Sequence, residues 1–102
     1  MFLDETESID RNEPRLGYGV AVTDIDGDGA FEFIVAGHGC ANLVLKWDGR
    51  RLVDIADPVL ADATRKAIGL CAADADGDGR EELYVLNSES FSGPKRFGDR
   101  LF

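Results

Sequence analysis

The sequence is poor in the residues on which most catalytic and redox chemistry is built: one histidine and two cysteines among 102 residues. Cys40 and Cys71 make no disulfide framework, and they lack the paired spacing of a zinc or thiol redox site. Cys71, inside an apolar strand pattern, reads as a buried small hydrophobe; a Cys40–Cys71 bridge is the alternative. His38, set in Gly37-His38-Gly39, has no nucleophile and acidic orienter assignable around it, and reads as the cap of an exposed loop. Gly17, Gly19, Gly37 and Gly39 precede no helix pattern and no Lys-Ser/Thr pair, so they make no nucleotide loop. Long hydrophobic runs are missing as well. No segment approaches the roughly 18 apolar residues of a spanning helix, and Met1-Phe2-Leu3 leads straight into Asp4 and Glu5, where no signal peptide is read. Basic residues are outnumbered eleven to twenty, and the formal charge of −9 disfavours nucleic acid or anionic membrane and favours cations as partners. What remains is an ordinary apolar share of 44 %, enough for one domain with a modest core or for a piece of a larger one.

The organising feature is a repeat. Sliding the chain by 50 positions lays Gly19 through Val35 onto Gly69 through Val85, and eight of the nineteen residues between 18 and 36 are identical. They are Gly19, Asp24, Asp26, Gly27, Asp28, Gly29, Glu32 and Val35, so the match falls on glycines and carboxylates and implies one loop geometry used twice. Short runs of Val, Ile, Leu and aromatics broken by Gly, Asp and Asn predict strands. In the first copy these are Tyr18 to Thr23, Phe31 to Ala36, Leu43 to Trp47 and Arg51 to Ile55, the last pair joined by a hairpin turn at Asp48-Gly49. In the second they are Ile68 to Ala73 and Glu82 to Leu86, with weaker pieces around Lys95 to Phe97 and Arg100 to Phe102. The same spacing makes Trp47 and Phe97 equivalent and reads both as packing residues.

Four-stranded units at this period predict an all-β protein made of β-propeller blades. The expected organisation is an acidic arm over 1–16, a first blade over 17–57, a connector over 58–67 with a helical turn between Val59 and Lys66, and a second, incomplete blade over 68–102. The arm is expected to be solvated, with Phe2 and Leu3 available to anchor it. Two blades cannot close a ring. With Phe102 read as the counterpart of Leu52, closure is expected either within a longer chain or by homo-oligomeric assembly.

Each repeat carries DxDGDGxxE. A tightly curled loop lets the carboxylates at its first, third and fifth places face one centre: Asp24, Asp26 and Asp28 in one copy, Asp74, Asp76 and Asp78 in the other. The main-chain carbonyl at the seventh place, Ala30 or Arg80, and the carboxylate at the ninth, Glu32 or Glu82, complete the set. This all-oxygen shell suits Ca2+, one ion per loop, over Mg2+, which keeps several waters, and over Zn2+ or Cu2+, which want His or Cys. An EF-hand needs its acidic ligand at the twelfth place, where Val35 and Val85 stand in predicted strands.

The run of glycine, apolar strand, DxDGDGxxE and apolar strand resembles the FG-GAP or VCBS-type repeats of integrin-like β-propellers. The likeness continues through Asn42-Leu43-Val44-Leu45-Lys46 and Phe91-Ser92-Gly93, where the chain resembles the amino-terminal blades of the cartilage acidic protein family. That resemblance implies an extracellular or cell-surface, non-enzymatic calcium-binding module with an adhesive or partner-binding role, whose metal ligands fall on Asp24, Asp26, Asp28, Glu32, Asp74, Asp76, Asp78 and Glu82. A protein or glycan ligand is left open by it. The competing expectation is a non-catalytic accessory part of a polysaccharide-active enzyme. Catalysis by the acidic pairs themselves conflicts with the metal reading, because carboxylates held by calcium are not free as acids or bases.

Overall fold

The computed structural model describes residues 1–88 and 94–102; Phe91-Ser92-Gly93, which carry part of the resemblance, lie outside the described residues. Short runs rich in Val, Leu, Ile and aromatics form β1 (Val20–Thr23), β2 (Glu32–Val35), β3 (Leu43–Trp47) and β4 (Leu52–Asp54). They make one antiparallel sheet in sequence order, because each connection is a short hairpin. At the last of these, Asp48 accepts hydrogen bonds from the amides of Arg50 and Arg51, both at 2.8 Å, and Gly49 takes the positive φ of 100° that closes the turn. The chain returns through a single helical turn, α1 (Pro58–Ala61). Its start is set by Pro58 and by the Asp57 carboxylate, which accepts from the Leu60 amide at 2.8 Å. Buried Asn42 ties this turn to the sheet, accepting from the Gly37 amide at 2.9 Å and donating to the Leu60 carbonyl at 3.0 Å. A second antiparallel sheet follows, with β5 (Ala67–Ala73), β6 (Glu82–Asn87) and β7 (Arg100–Leu101) in sequence order.

The all-β, two-blade architecture is as expected, and the ring is open. The core lies between the sheets. Ile34, Ala36 and Val44 from the first meet Ala67, Leu83 and Val85 from the second, all at most 2 % exposed. The sheets come closest at β1 and β5. A Cβ added to Gly19 would lie 3.1 Å from the Gly69 Cα and 3.3 Å from the Ile68 carbonyl, so the glycine that opens each repeat is where two backbones nearly touch.

The outer faces are apolar and open. Val20, Val22, Phe33 and Trp47 are 43–60 % exposed on one side of the stack, and Tyr84, Leu86 and Leu101 are exposed on the other. Cys71 pairs with Tyr84 across β5 and β6 and shares that second face. It is an exposed free thiol, as Cys40 is a free thiol at a half-buried position, which corrects the reading of Cys71 as buried. The apolar pattern around it is real, but the face it belongs to is uncovered.

The strand expected around Lys95 to Phe97 does not form. β6 pairs Tyr84 with Leu101 and Val85 with Arg100, and Leu83 exchanges backbone bonds of 2.9 and 3.0 Å with Phe102. In the first sheet the equivalent Phe33, Ile34 and Val35 face Leu45, Val44 and Leu43. Phe102 is therefore the counterpart of Leu45 and not of Leu52, with seven residues inserted after β6. Trp47 and Phe97 are accordingly not equivalent: Phe97 lies before β7 with the Arg65 guanidinium 4.9 Å from its ring centroid. The insertion is held by Asp99, which accepts from the Tyr84 hydroxyl at 2.7 Å, from the Asn87 amide at 2.9 Å and from the Lys95 ammonium.

The acidic arm is not wholly solvated. After a 3-10 turn at Thr6–Ser8, Ile9 bridges Leu52 in parallel, the Asp10 amide donates to the Leu52 carbonyl at 2.8 Å, and Arg51 pairs with Asp10 at 3.0 Å. The outer edge of β4 offers unpaired backbone groups, and the arm takes them. Phe2 and Leu3, the expected anchors, stay exposed. His38 is half-buried, edge-on to Tyr18 with centroids 5.3 Å apart.

Truncating Leu83, 2 % exposed between the blades, leaves a cavity and is expected to cost about 2–5 kcal/mol in a urea unfolding series of Leu83→Ala. The Lys95 ammonium, then the Tyr84 hydroxyl and the Asn87 amide, hold the Asp99 carboxyl at about 2, below its ordinary 3.8. A depressed carboxyl stabilises the fold above its unfolded value and ceases to as pH falls through the folded one. The stability gap between wild type and Asp99→Asn should therefore be full near neutrality and close between about pH 4 and pH 2, read by denaturant unfolding at each pH.

Candidate metal centres

Both acidic motifs form the β-turn connections of the inner hairpins, β1 to β2 and β5 to β6, and they fold alike. Gly27 and Gly29 take φ of 74° and 89°, and Gly77 and Gly79 take 79° and 92°, a region that residues with a Cβ enter only at a cost. The curl this allows turns backbone amides inward onto the carboxylates. In the first turn the Asp24 carboxylate accepts from the Asp28 and Gly29 amides at 3.0 and 2.8 Å. Asp26 accepts from the Asp28 amide at 3.2 Å, and Asp28 from the Ala30 amide at 2.9 Å. Glu32 reaches back from β2 to accept from the Ile25 amide at 2.9 Å. The second turn repeats this. Asp74 accepts from Gly77 and Gly79 at 2.7 and 2.9 Å, Asp76 from Asp78 at 3.0 Å, Asp78 from Arg80 at 2.8 Å and Glu82 from Ala75 at 2.7 Å.

Amides therefore fix one oxygen of Asp26, Asp28 and Glu32 and leave the second oxygen of each for a cation. Asp24, Asp26 and Glu32 bring carboxylate oxygens within 4.8 Å of one another, and so do Asp74, Asp76 and Asp78. Asp28 and Glu82 stand outside those tightest groups. Ala30 and Arg80 enter the pattern through their amides. Glu32 is 0 % exposed, and its Oε1 is buried with no hydrogen-bond partner. Glu82 is only half-buried, because it lies on the open side of the second sheet. Both turns border one open cleft of about 680 Å³, lined by Asp24, Phe31, Arg80, Glu82 and Phe102 among others, which places them at the same end of the blade pair.

Lys46 is a site residue that the motif alone does not reveal. Its ammonium contacts Asp26 Oδ2, Asp28 Oδ2 at 2.6 Å and Glu32 Oε1 at 3.5 Å. The signal for it lies in strand register: with Ile34 facing Val44, Lys46 falls opposite Glu32 on the same face. The Lys46 ammonium, then the Ala30 amide, hold the Asp28 carboxyl below the usual range, and Asp26 and Asp28 raise Lys46 above its own. In the second turn the Arg80 amide, then its guanidinium at 3.1 Å, lower Asp78. Arg80 is 85 % exposed, at the rim of the turn.

A doubled acidic hairpin of this geometry on blade-like sheets is the pattern of one known repeat, and residues 24–85 match the family described as FG-GAP-like repeat. The chain belongs to the FG-GAP-like repeat family. Among its relatives, cartilage acidic protein 1 of Homo sapiens is 49 % identical across 100 % of this chain, and that of Mus musculus is 48 % identical across 100 %. The Xenopus tropicalis protein is 47 % identical across 94 %. The chain spans 16–18 % of the length of these relatives. The FG-GAP match therefore includes both acidic turns whole, from Asp24 through Glu82.

Open space surrounds Gly27 and Gly77, so a methyl group there meets only the backbone cost. Gly27→Ala and Gly77→Ala are each expected to lower stability by about 1–2 kcal/mol in thermal or urea unfolding. Gly98→Ala, where φ is not positive and nothing lies within contact distance, should be near neutral.

Proposed function

We propose that this chain is a non-enzymatic, calcium-binding pair of propeller blades, one structural Ca2+ per acidic turn, serving extracellular binding or adhesion within a larger ring. The observation that carries the reading is Glu32 Oε1, fully buried with no hydrogen-bond partner and met only by the Lys46 ammonium at 3.5 Å, beside Asp26 and Asp28, whose other oxygens are held by amides. A buried carboxylate oxygen that accepts no hydrogen bond is costly, and an ammonium at 3.5 Å meets it less closely than a coordinated hard cation would. The donors are all oxygens, with no His or Cys in either turn, which selects a hard cation, and the supply of several carboxylates favours calcium over magnesium. Asp24, Asp26, Asp28 and Glu32, with the Ala30 carbonyl, would hold one ion; Asp74, Asp76, Asp78 and Glu82, with the Arg80 carbonyl, the other. Bound calcium supplies charge neutralisation that clamps each hairpin. Shallow, solvent-facing turns suit the weak affinities of extracellular calcium modules.

The larger ring is supported by the open faces. Val20, Val22 and Phe33 correspond by the repeat to Leu70, Ala72 and Leu83, which the first blade covers, and Tyr84 corresponds to Ile34, which the second covers. Each uncovered face thus has a covered twin in the other copy. The occupants we propose are further blades of a longer chain, since this one spans under a fifth of its relatives. Among the described residues no helix is long and apolar enough to cross a membrane.

Calorimetric titration should resolve two calcium sites, with Asp24→Asn abolishing one and Asp74→Asn the other. Free calcium at a hundred times the dissociation constant should add about 2.7 kcal/mol per site to unfolding stability. Absence of calcium heat in the folded wild-type chain would sink the reading. Light scattering in calcium distinguishes the occupants: a monomer supports blades in cis, whereas a closed ring of several copies would put the occupants in trans.

A further inference from the structure

We infer that Lys46 is a tethered competitor for the cation of the first turn: its ammonium occupies the point where calcium would sit, holds the turn together when divalent cations are scarce, and must leave before calcium is bound. The inference rests on the calcium reading above and adds a regulator to it. Its basis is that the oxygens of Asp26, Asp28 and Glu32 left free by the backbone amides all converge on one atom, Lys46 Nζ. An ammonium offers three donors and one positive charge to these carboxylates, much as a hard ion would offer its charge, but with fewer ligands. Two cations cannot share that shell, since like charges at such separations repel strongly even at an effective dielectric of about 20.

The placement is built into the fold. Lys46 lies in β3, an inner strand of the first sheet, on the face and at the level of Glu32, so the sheet register delivers its stem to the turn. The side chain is 22 % exposed, which leaves a flexible stem with a route to water. In the second sheet the position equivalent to Lys46 would follow Phe102, because Phe102 matches Leu45. In the second turn the cation beside the carboxylates is instead the Arg80 guanidinium, 3.1 Å from Asp78.

Competition of this kind lowers apparent affinity by the fraction of time the turn is free of the ammonium. The test is made in the 102-residue chain carrying Asp76→Asn and Asp78→Asn, so that calcium titration reads the first turn. Lys46→Met, which keeps the stem and removes the charge, should tighten calcium binding about tenfold. It should also lower the melting temperature in chelator, while the gain in melting temperature on adding calcium becomes larger. Lys46→Arg, which keeps the charge, should stay close to wild type. Unchanged or weaker calcium affinity in Lys46→Met, or equal tightening by Lys46→Arg, overturns the inference while leaving the calcium reading intact. No calcium uptake by the wild-type chain at either turn overturns both.

Discussion

Carboxylates gathered within a few ångströms repel one another, by roughly 4 kcal/mol per pair at 4 Å and an effective dielectric of 20, and the blade hairpins are arranged around that repulsion. It is met in two layers. Backbone amides, turned inward by glycines at positive φ, take one oxygen from Asp26, Asp28 and Glu32, and their counterparts do so in the second turn. Positive charge meets the rest: Lys46 across the first turn and Arg80 beside the second. The turns join the innermost strands of each sheet, so whatever neutralises them also fixes the end of the hairpin whose sides form the blade contact. Site and fold thus share one electrostatic problem.

The apolar arrangement follows a second rule. Each sheet buries one face against its neighbour and offers the other, and the repeat makes the offered face of one copy equivalent to the buried face of the next. Such stacking is head-to-tail and has no internal reason to stop at two, unlike a self-complementary pair of faces. A thiol at Cys71, a phenol at Tyr84 and leucines at 86 and 101 on one face, with valines, Phe33 and Trp47 on the other, have the composition of an interior but stand exposed.

How far the sequence could be read depended on which interactions are local. The four strands of the first blade, the hairpin at Asp48-Gly49 and the amide-lined turns are set by residues within a few positions of one another, and periodicity with turn chemistry exposed them. The strand at Arg100–Leu101 is legible in the sequence, but its place as the third strand of the second blade is not. A fixed repeat period extrapolates through insertions, whereas pairing with β6 is decided by Asp99, which ties Tyr84, Asn87 and Lys95 together across the added segment. The exposure of Cys71 is hidden from the sequence for a related reason: an apolar strand pattern tells which residues prefer burial, but not whether a neighbour is present to bury them. Lys46 escaped notice because a loop motif describes ligands contiguous in sequence, and this residue arrives from the adjacent strand by register alone.

The near-contact of Gly19 with Gly69 has a geometric consequence. Blades stacked about an axis are wedges, and the angle of the wedge is the difference between how closely the strands approach at the hub and how far apart they stand at the rim. With no side chain between Gly19 and Gly69, the spacing at that point is at its minimum, so the far edge of the sheets, where Trp47 and the arm residue Ile9 stand, sets the angle between them. The angle between the two sheets is therefore set at their periphery, and bulk added at Gly19 or Gly69 would push β1 and β5 apart and flatten it.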